Sequence, residues 1–470
     1  MRVVESPDRL DDALAAARRE AQAGFGDDRV FIERYLPRAR HIEVQVLADA
    51  HGRVLHLGER ECSLQRRHQK VVEEAPSPAV SPHLRRRLGE EAVALMRTAG
   101  YAGAGTVEFI ADADHPEDHF FLEVNARLQV EHPVTELITG LDLVELQLRV
   151  AAGEHLPLEQ DDVTLTGHAV EVRVTAEDAA AGFLPSAGTV LAYRRSAHAR
   201  TDDAIERGSE VGTQYDSLVA KVVTHAHDRE TALAKLDRAL ADTAVLGVTT
   251  TTGFLRSLIG LDAVRSGEID TGFVERLEPF GPALGDEEVA RAAALVGLAL
   301  AAEEAGDDPF ARVDGWRMGG VRAASTSRLI VDGGEPVTVA ARHGEAEVER
   351  LAPDVLAIDR RAWTYAVDGD TLWLGRDGHA WRVRRPSVEE ASGAGADGDL
   401  RAPMPGQVLL VPASVGDSVK AGDPVVVLES MKMELSITAP ADGVVTEISV
   451  GVGDRVGLDQ SLARVEASAE

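Results

Sequence analysis

Cysteine is nearly absent from this 470-residue chain. Cys62 stands alone, so no intrachain disulfide can form and a reducing compartment suits the protein. No apolar run approaches the roughly 20 residues needed to span a bilayer. The first residues, MRVVESPDRL, lack the apolar segment of a signal peptide. Excess positive charge is missing too. A formal net charge of -30 and a pI near 4.9 argue against nucleic acid or an anionic membrane as the main partner. A cytoplasmic protein with no nucleic-acid and no membrane partner is expected. What remains is ordinary for a soluble globular chain: 44% hydrophobic and 27% charged residues. That length predicts three or four domains rather than one core.

The C-terminal end is the easiest to divide. Residues 386–399 (PSVEEASGAGADGD) hold almost no large apolar side chain and read as a flexible linker. An internal repeat follows, offset by 37 residues (443 − 406): Ala402-Pro403 returns as Ala439-Pro440, Gly406 as Gly443, Gly416-Asp417 as Gly453-Asp454, and Val419 as Val456. Valines alternate with polar residues between these markers, and Gly-Asp turns break the runs, so short antiparallel strands are predicted. Two related halves of four strands suggest a small, two-fold symmetric flattened barrel. ESMKME at 429–434 falls where the halves meet, which predicts Lys432 at an exposed hairpin tip.

That hexapeptide, with MPG at 404–406 upstream, resembles the attachment motif of biotin carboxyl carrier domains. Ser430 stands where that family more often has alanine. The resemblance implies covalent biotin on Lys432, placed there by a biotin protein ligase. Lipoyl domains share the fold, but their motifs usually lack the flanking methionines.

Nearer the N-terminus, residues 29–49 alternate apolar and polar side chains and predict strands, and residues 56–70 (HLGERECSLQRRHQK) predict a strand entering a basic loop. An amphipathic helix is expected around 82–99, then strands over 103–110 and 120–127. On the last of these, Glu123, Asn125 and Arg127 share one face, and Gln129 and Glu131 keep that register while the chain stays extended. Such a polar face can be merely solvated. Glu108, Glu123 and the Asn125 amide oxygen are nonetheless suitable ligands for magnesium bridging nucleotide phosphates.

GERECSLQRRHQKVVEEAPSP (58–78), GAGTVEFI (103–110) and FLEVNARLQVEHPVTE (121–136) together closely resemble the ATP-grasp domain of biotin carboxylases. The resemblance implies that Glu33 and Leu36 meet adenine, while His41, Gln65 and His68 line the nucleotide. Glu108, Glu123 and Asn125 would hold Mg2+ or Mn2+ beside ATP. Lys70, Arg127, Gln129 and the backbone of Val130 would bind bicarbonate, with Glu131 as its base and Lys70 and Arg127 stabilising the anions formed. RTDD at 200–203, in register with QYDS at 214–217, makes Arg200 the partner of the biotin ureido oxygen. GHAVEVRVTAED (167–178) and YDSLVAKVV (215–223) resemble the C-terminal domain of the same enzymes.

Residues 281–385 differ from both ends. Asp286 can cap a helix running through Ala305, and short strands with Gly-rich turns follow. All four tryptophans (Trp316, Trp363, Trp373, Trp381) lie here. The GWRMGG stretch at 315–320 resembles the linking domain of propionyl-CoA and methylcrotonyl-CoA carboxylase α subunits, which implies docking onto a carboxyltransferase β subunit in a hetero-oligomer.

The expected architecture is therefore multidomain α+β: a partial ATP-grasp domain (1–145), a biotin carboxylase C-terminal domain (146–280), a helix-plus-β-barrel linking domain (281–385), the linker, and an all-β flattened-barrel biotinyl domain (400–468). The family normally begins with a doubly wound domain and a glycine-rich loop over the ATP phosphates, and both would precede Met1, as would two nucleotide-binding lysines. The expected function is the α subunit of a biotin-dependent acyl-CoA carboxylase. The alternative is a truncated, inactive chain acting only as biotin carrier.

Overall fold

The computed structural model describes residues 2–281, 283–305, 315, 323–387, 398–430, 433–457 and 460–467. Lys432, Trp316, most of the linker and most of the GWRMGG stretch lie outside the described residues.

One antiparallel sheet organises the first 230 residues or so. Its strands are Ala39–Ala48 (β1), Val54–Arg66 (β2), Gln69–Ala75 (β3), Gly103–Asp112 (β4), His119–Asn125 (β5), His168–Thr175 (β6), Arg200–Asp203 (β7) and Leu218–Ala226 (β8), in the spatial order β7-β8-β6-β3-β2-β1-β4-β5. β6 pairs directly with β3, so the sheet runs without a break through the boundary expected near residue 145. The helices Leu10–Phe25 (α1), Pro82–Thr98 (α2), His132–Thr139 (α3), Leu143–Ala151 (α4) and Arg229–Asp242 (α5) accompany it.

The alternation in ARHIEVQVLA explains β1. Ile42, Val44, Val46 and Ala48 pack against Leu84, Leu88, Ala92 and Met96 of α2. The other face carries His41, Glu43 and Gln45, and Glu43 and Gln45 are fully buried as well. A strand buried on both faces, apolar on one and charged on the other, is unusual because an unmatched buried charge is costly. That polar face is where the site forms. α2 starts where Ser81 Oγ accepts from the Leu84 amide at 3.1 Å, with proline at the next position.

Three expected elements change. Residues 29–38 are not strand. The basic loop is instead a tight hairpin: Arg66 pairs with Gln69, leaving Arg67 and His68 as a two-residue turn with φ of 48° and 64°. Lys70 thus sits on β3. The third change is at β5, which stops at Asn125, so Arg127, Gln129 and Glu131 do not continue its register. Pro133, just inside α3, and the helix itself turn the chain away.

In the linking region a helix, Asp286–Ala305 (α6), buries Val289, Ala293 and Val296 against one seven-stranded antiparallel sheet between Ser325 and Arg384. Trp363 and Trp381 belong to that core. Trp373 packs instead against Ala192 and Leu246 of the preceding domain.

The last domain is two four-stranded sheets, each mixing strands from both halves of the repeat: Gly406–Leu410 pairs with Arg455–Val456, and Ser418–Val419 with Gly443–Ile448. The repeat is one of constraints. A Cβ at Gly406 would lie 2.8 Å from the Glu429 carbonyl oxygen, and at Gly443 2.3 Å from that of Glu466. Gly416 and Gly453 turn at φ of 97° and 92°, a region that side-chain-bearing residues avoid.

Candidate active site

On the polar face of the sheet the charges form one connected network. Lys70 on β3 donates to Glu43 on β1 at 2.6 Å, to Glu131 just before α3, and to Glu108 on β4 at 3.4 Å. Arg60 on β2, fully buried, donates to Glu43, to Gln45 (2.7 Å), Thr135 (2.9 Å), Thr106 (3.3 Å) and Gln129 (3.1 Å). Burial pushes the Glu43 carboxyl up, but Arg60 and Lys70 outweigh it and hold the group down at about 2. Burial likewise opposes ionisation of Glu108, and the bonds from His41 and Gln129 and the charge of Lys70 hold it at about 2. The three carboxylates around Lys70 raise its pKa despite desolvation. Two cations thus hold a nest of carboxylates ionised.

Glu108 and Glu123 are direct cross-strand partners on β4 and β5, so their Cβ atoms are about 5 Å apart. Asn125 Nδ2 donates to both, at 2.8 and 3.2 Å. Its amide protons lie where two facing carboxylates would hold a cation, and an amide flip would present the oxygen instead. Two carboxylates and an amide oxygen are the hard donors that Mg2+ or Mn2+ takes. The residues fit such an ion. His41, Glu43 and Glu108 also bring ligand atoms within 4.8 Å of one another, but the Lys70 ammonium already occupies that position.

Most residues expected from the sequence come together. Gln129, buried, donates to Glu108 at 2.8 Å and accepts from Arg60. The Val130 carbonyl accepts from Lys221 Nζ at 2.7 Å. His41 Nε2 lies 2.8 Å from Glu108, and Gln65 is buried on β2. Arg127 is exposed, 3.3 Å from Asn125 Oδ1. Arg200 on β7 pairs with Val223 of β8 rather than with the QYDS segment. Its guanidinium bonds Glu136 of α3 at 2.8 Å and Asp202 at 3.0 Å. Glu33 and His68 are exposed, and Leu36 is buried. Sequence reasoning missed Glu43, Arg60, Arg173 and Lys221. Arg173 Nη2 bonds Glu131 at 3.0 Å, and its Nε bonds Glu73 at 2.6 Å. Glu43 and Arg173 carried a signal, a charge two residues from another polar group in an otherwise apolar strand; Arg60, between Glu59 and Glu61, and Lys221, with valines two residues to either side, did not.

The chain is similar to families described as carbamoyl-phosphate synthase L chain ATP-binding domain (residues 1–159), biotin carboxylase C-terminal domain (171–276), methylcrotonyl-CoA carboxylase α-subunit BT domain (286–387) and biotin-requiring enzyme (398–465). The mitochondrial methylcrotonoyl-CoA carboxylase subunit alpha of Dictyostelium discoideum is 36% identical over 98% of this chain and 72% of its own length. The propionyl-CoA carboxylase alpha chain of Ruegeria pomeroyi is 36% identical over 99% and 76%. Among solved structures, the biotin carboxylase domain of a thermophilic 2-oxoglutarate carboxylase bound to bicarbonate matches with TM-score 0.56 and 40% identity. That match covers 58% of this chain and 62% of the other. Rhizobium etli pyruvate carboxylase matches with TM-score 0.58 and 38% identity, over 63% of this chain and 27% of the other.

Proposed function

The chain belongs to the α subunits of biotin-dependent acyl-CoA carboxylases, and from that premise we propose that it carboxylates biotin carried on Lys432. ATP and bicarbonate are the co-substrates, a biotin protein ligase loads Lys432, and a separate carboxyltransferase β subunit passes the carboxyl group to an acyl-CoA. The observation that carries this reading is the position of Lys70, bonded at once to the base candidate Glu131 and to Glu108 of the metal-ligand pair. One ammonium thus links the proposed base to the proposed metal ligands.

Bicarbonate is a weak nucleophile and a poor electrophile. Glu131 takes its proton, and the bicarbonate oxygen then attacks the γ-phosphorus of ATP while ADP leaves. Lys70 and Arg127 offset the negative charge that gathers there, with Gln129 as a further donor. Glu108, Glu123 and Asn125 would hold a divalent ion, which would supply charge neutralisation at the phosphates. Glu33, Leu36, His41, Gln65 and His68 line the nucleotide. His68 sits at a hairpin tip with φ of 64°, a costly position for a side-chain-bearing residue and one that recurs at ligand clamps. Arg200, held by Glu136 and Asp202, would meet the biotin ureido oxygen. Biotin would supply the ureido nitrogen that takes the carboxyl group from the carboxyphosphate so formed, and the released phosphate would take that nitrogen's proton.

The deciding experiment is bicarbonate-dependent ATP cleavage by this chain with free biotin and magnesium, against Glu131→Gln. Loss of a positioned base predicts a fall of about 10²- to 10⁴-fold. If the unsubstituted chain shows no activity while Lys432 is biotinylated and the chain folded, the chain is a carrier and the catalytic reading fails.

A further inference from the structure

Behind Glu131 the sheet buries two more carboxylates that the proposed chemistry does not use. Glu73 and Glu171 face each other across the β3–β6 pair, and neither exposes any surface. Direct cross-strand partners place their Cβ atoms about 5 Å apart. Glu73 Oε1 accepts from Arg173 Nε at 2.6 Å. Glu73 Oε2 and both oxygens of Glu171 have no hydrogen-bond partner.

Three orphaned oxygens on two adjacent ionised carboxylates would each be desolvated without compensation. One proton pairs two of the three and removes one of the two charges, because it turns one oxygen from acceptor into donor and leaves only the neutral acid's carbonyl oxygen unpaired. Its place follows from the cations. Glu73 has Arg173 bonded to it. Glu171 has no bonded cation: Lys221 on the neighbouring β8 donates to the Val130 carbonyl at 2.7 Å and lies 3.5 Å from Asp202. The charged groups that face Glu171 are Glu73 from β3, Lys221 from β8, Arg173 from its own strand, and Glu131 at the start of α3. Burial first, and then the charge of Glu73, push its carboxyl well above the usual range. The two titratable side chains of α3 are engaged elsewhere, His132 with the Gln129 carbonyl and Glu136 with Arg200.

We propose that Glu171 is a neutral carboxylic acid sharing its proton with Glu73, and that this pair positions Glu131 through Arg173. Donation from Glu171 to Glu73 Oε2 leaves a single negative charge opposite the Arg173 guanidinium. The other arm of that guanidinium then stays on Glu131 Oε2, at 3.0 Å. Ionising Glu171 would put a third carboxylate in competition for the same cation and loosen its hold on Glu131. The positioning role rests on Glu131 being the base; the proton assignment does not.

Infrared difference spectroscopy of the full chain reads the proton directly. The unsubstituted chain at pH 7 should show a carboxylic-acid carbonyl band, shifted in D2O and missing from Glu171→Gln. Its absence overturns the proposal. Glu73→Gln gives an independent reading should Glu171→Gln misfold. With Glu73 uncharged, Glu171 becomes the ion opposite Arg173, and the band is lost although Glu171 is present. Persistence of the band in Glu73→Gln overturns the pairing. In ATP cleavage, Glu171→Gln replaces one neutral donor by another, so kcat at pH 7 should stay within about threefold. The alkaline decline of the unsubstituted enzyme should be absent from that variant. Coinciding alkaline limbs overturn the positioning role. If no ATP cleavage is found while the band is present, the functional reading fails and the proton assignment stands. Thermal unfolding then tests the pair: a carboxyl with a raised folded pKa stabilises at low pH and loses that contribution as pH rises through the folded value. Only chains retaining Glu171 should show this, and equal pH dependence in Glu171→Gln overturns the assignment.

Discussion

The carboxylase region and the carrier domain solve opposite problems. In the first, Glu43, Arg60, Glu73 and Glu171 are fully buried, and the side chains of the candidate site are drawn from several strands and the start of a helix. In the second, the described charged residues lie outside the core apart from the carboxylate of Asp399, which pairs with Arg401, and the core is Val425, Val426, Leu428, Val445, Leu462 and their neighbours. The difference follows from where each does its chemistry. Stabilising anions away from water needs fixed charges in a low-dielectric site, and each charge there must be matched by a partner or the fold suffers. A carrier needs a single amine at an accessible point, so its scaffold can be apolar and repetitive. The carboxylase region should therefore fail when a charge is removed or titrated, and the carrier domain should not.

The largest effect expected at the carrier end is chemical rather than structural. Lys432→Arg should abolish biotin incorporation by a biotin protein ligase, read as the missing mass of biotin on the intact chain. Its stability should change by no more than about 0.5 kcal/mol, since arginine keeps the charge and the role expected of Lys432 is chemical. The carboxylase region should behave in the reverse way. Arg60→Ala removes the partner of five side chains and strands Glu43 without its principal cation. A loss of about 3–5 kcal/mol is expected in urea unfolding of that region. A loss below 1 kcal/mol would mean that water or Lys70 substitutes for the guanidinium, and the contrast between the regions would weaken.

The carrier domain was the more legible of the two for the same reason. Its repeat at 37 residues survives as paired strands and as two pairs of glycines under the same constraint, because turns and close backbone approaches are local and leave local marks. In the carboxylase region the quoted motifs singled out Lys70, Glu108, Gln129 and Glu131, and the structure brings these four side chains together. What they did not show was Arg60, Arg173 and Lys221, because cross-strand neighbours follow from register, and β2 carries irregularities that no alternation pattern reveals. The end of β5 was misread for a related reason. Alternating polarity continues in the sequence past Asn125, through Arg127, Gln129 and Glu131, whereas the strand ends at Asn125 and the chain turns into α3 at His132.

The smallest predicted effect probes the same contrast through pH. Glu43 is held at about 2 in the folded chain, against an ordinary value of 4.5. A carboxyl with a depressed folded pKa stabilises above its unfolded value and loses that contribution as pH falls toward the folded one. The window is therefore pH 4.5 down to about 2, and for Glu43 the full loss is on the order of 3 kcal/mol, of which only part appears at pH 3.5. Glu171, already protonated in the proposed assignment, contributes nothing to the fall. Urea midpoints followed by limited proteolysis of each region should drop through this window for residues 39–75. They should hold for residues 424–465, where no charged residue among those described is buried. Glu43→Gln should start from lower stability and fall less steeply. If both regions of the unsubstituted chain fall together, general acid expansion is responsible, and the buried carboxylates are not what separates the two domains.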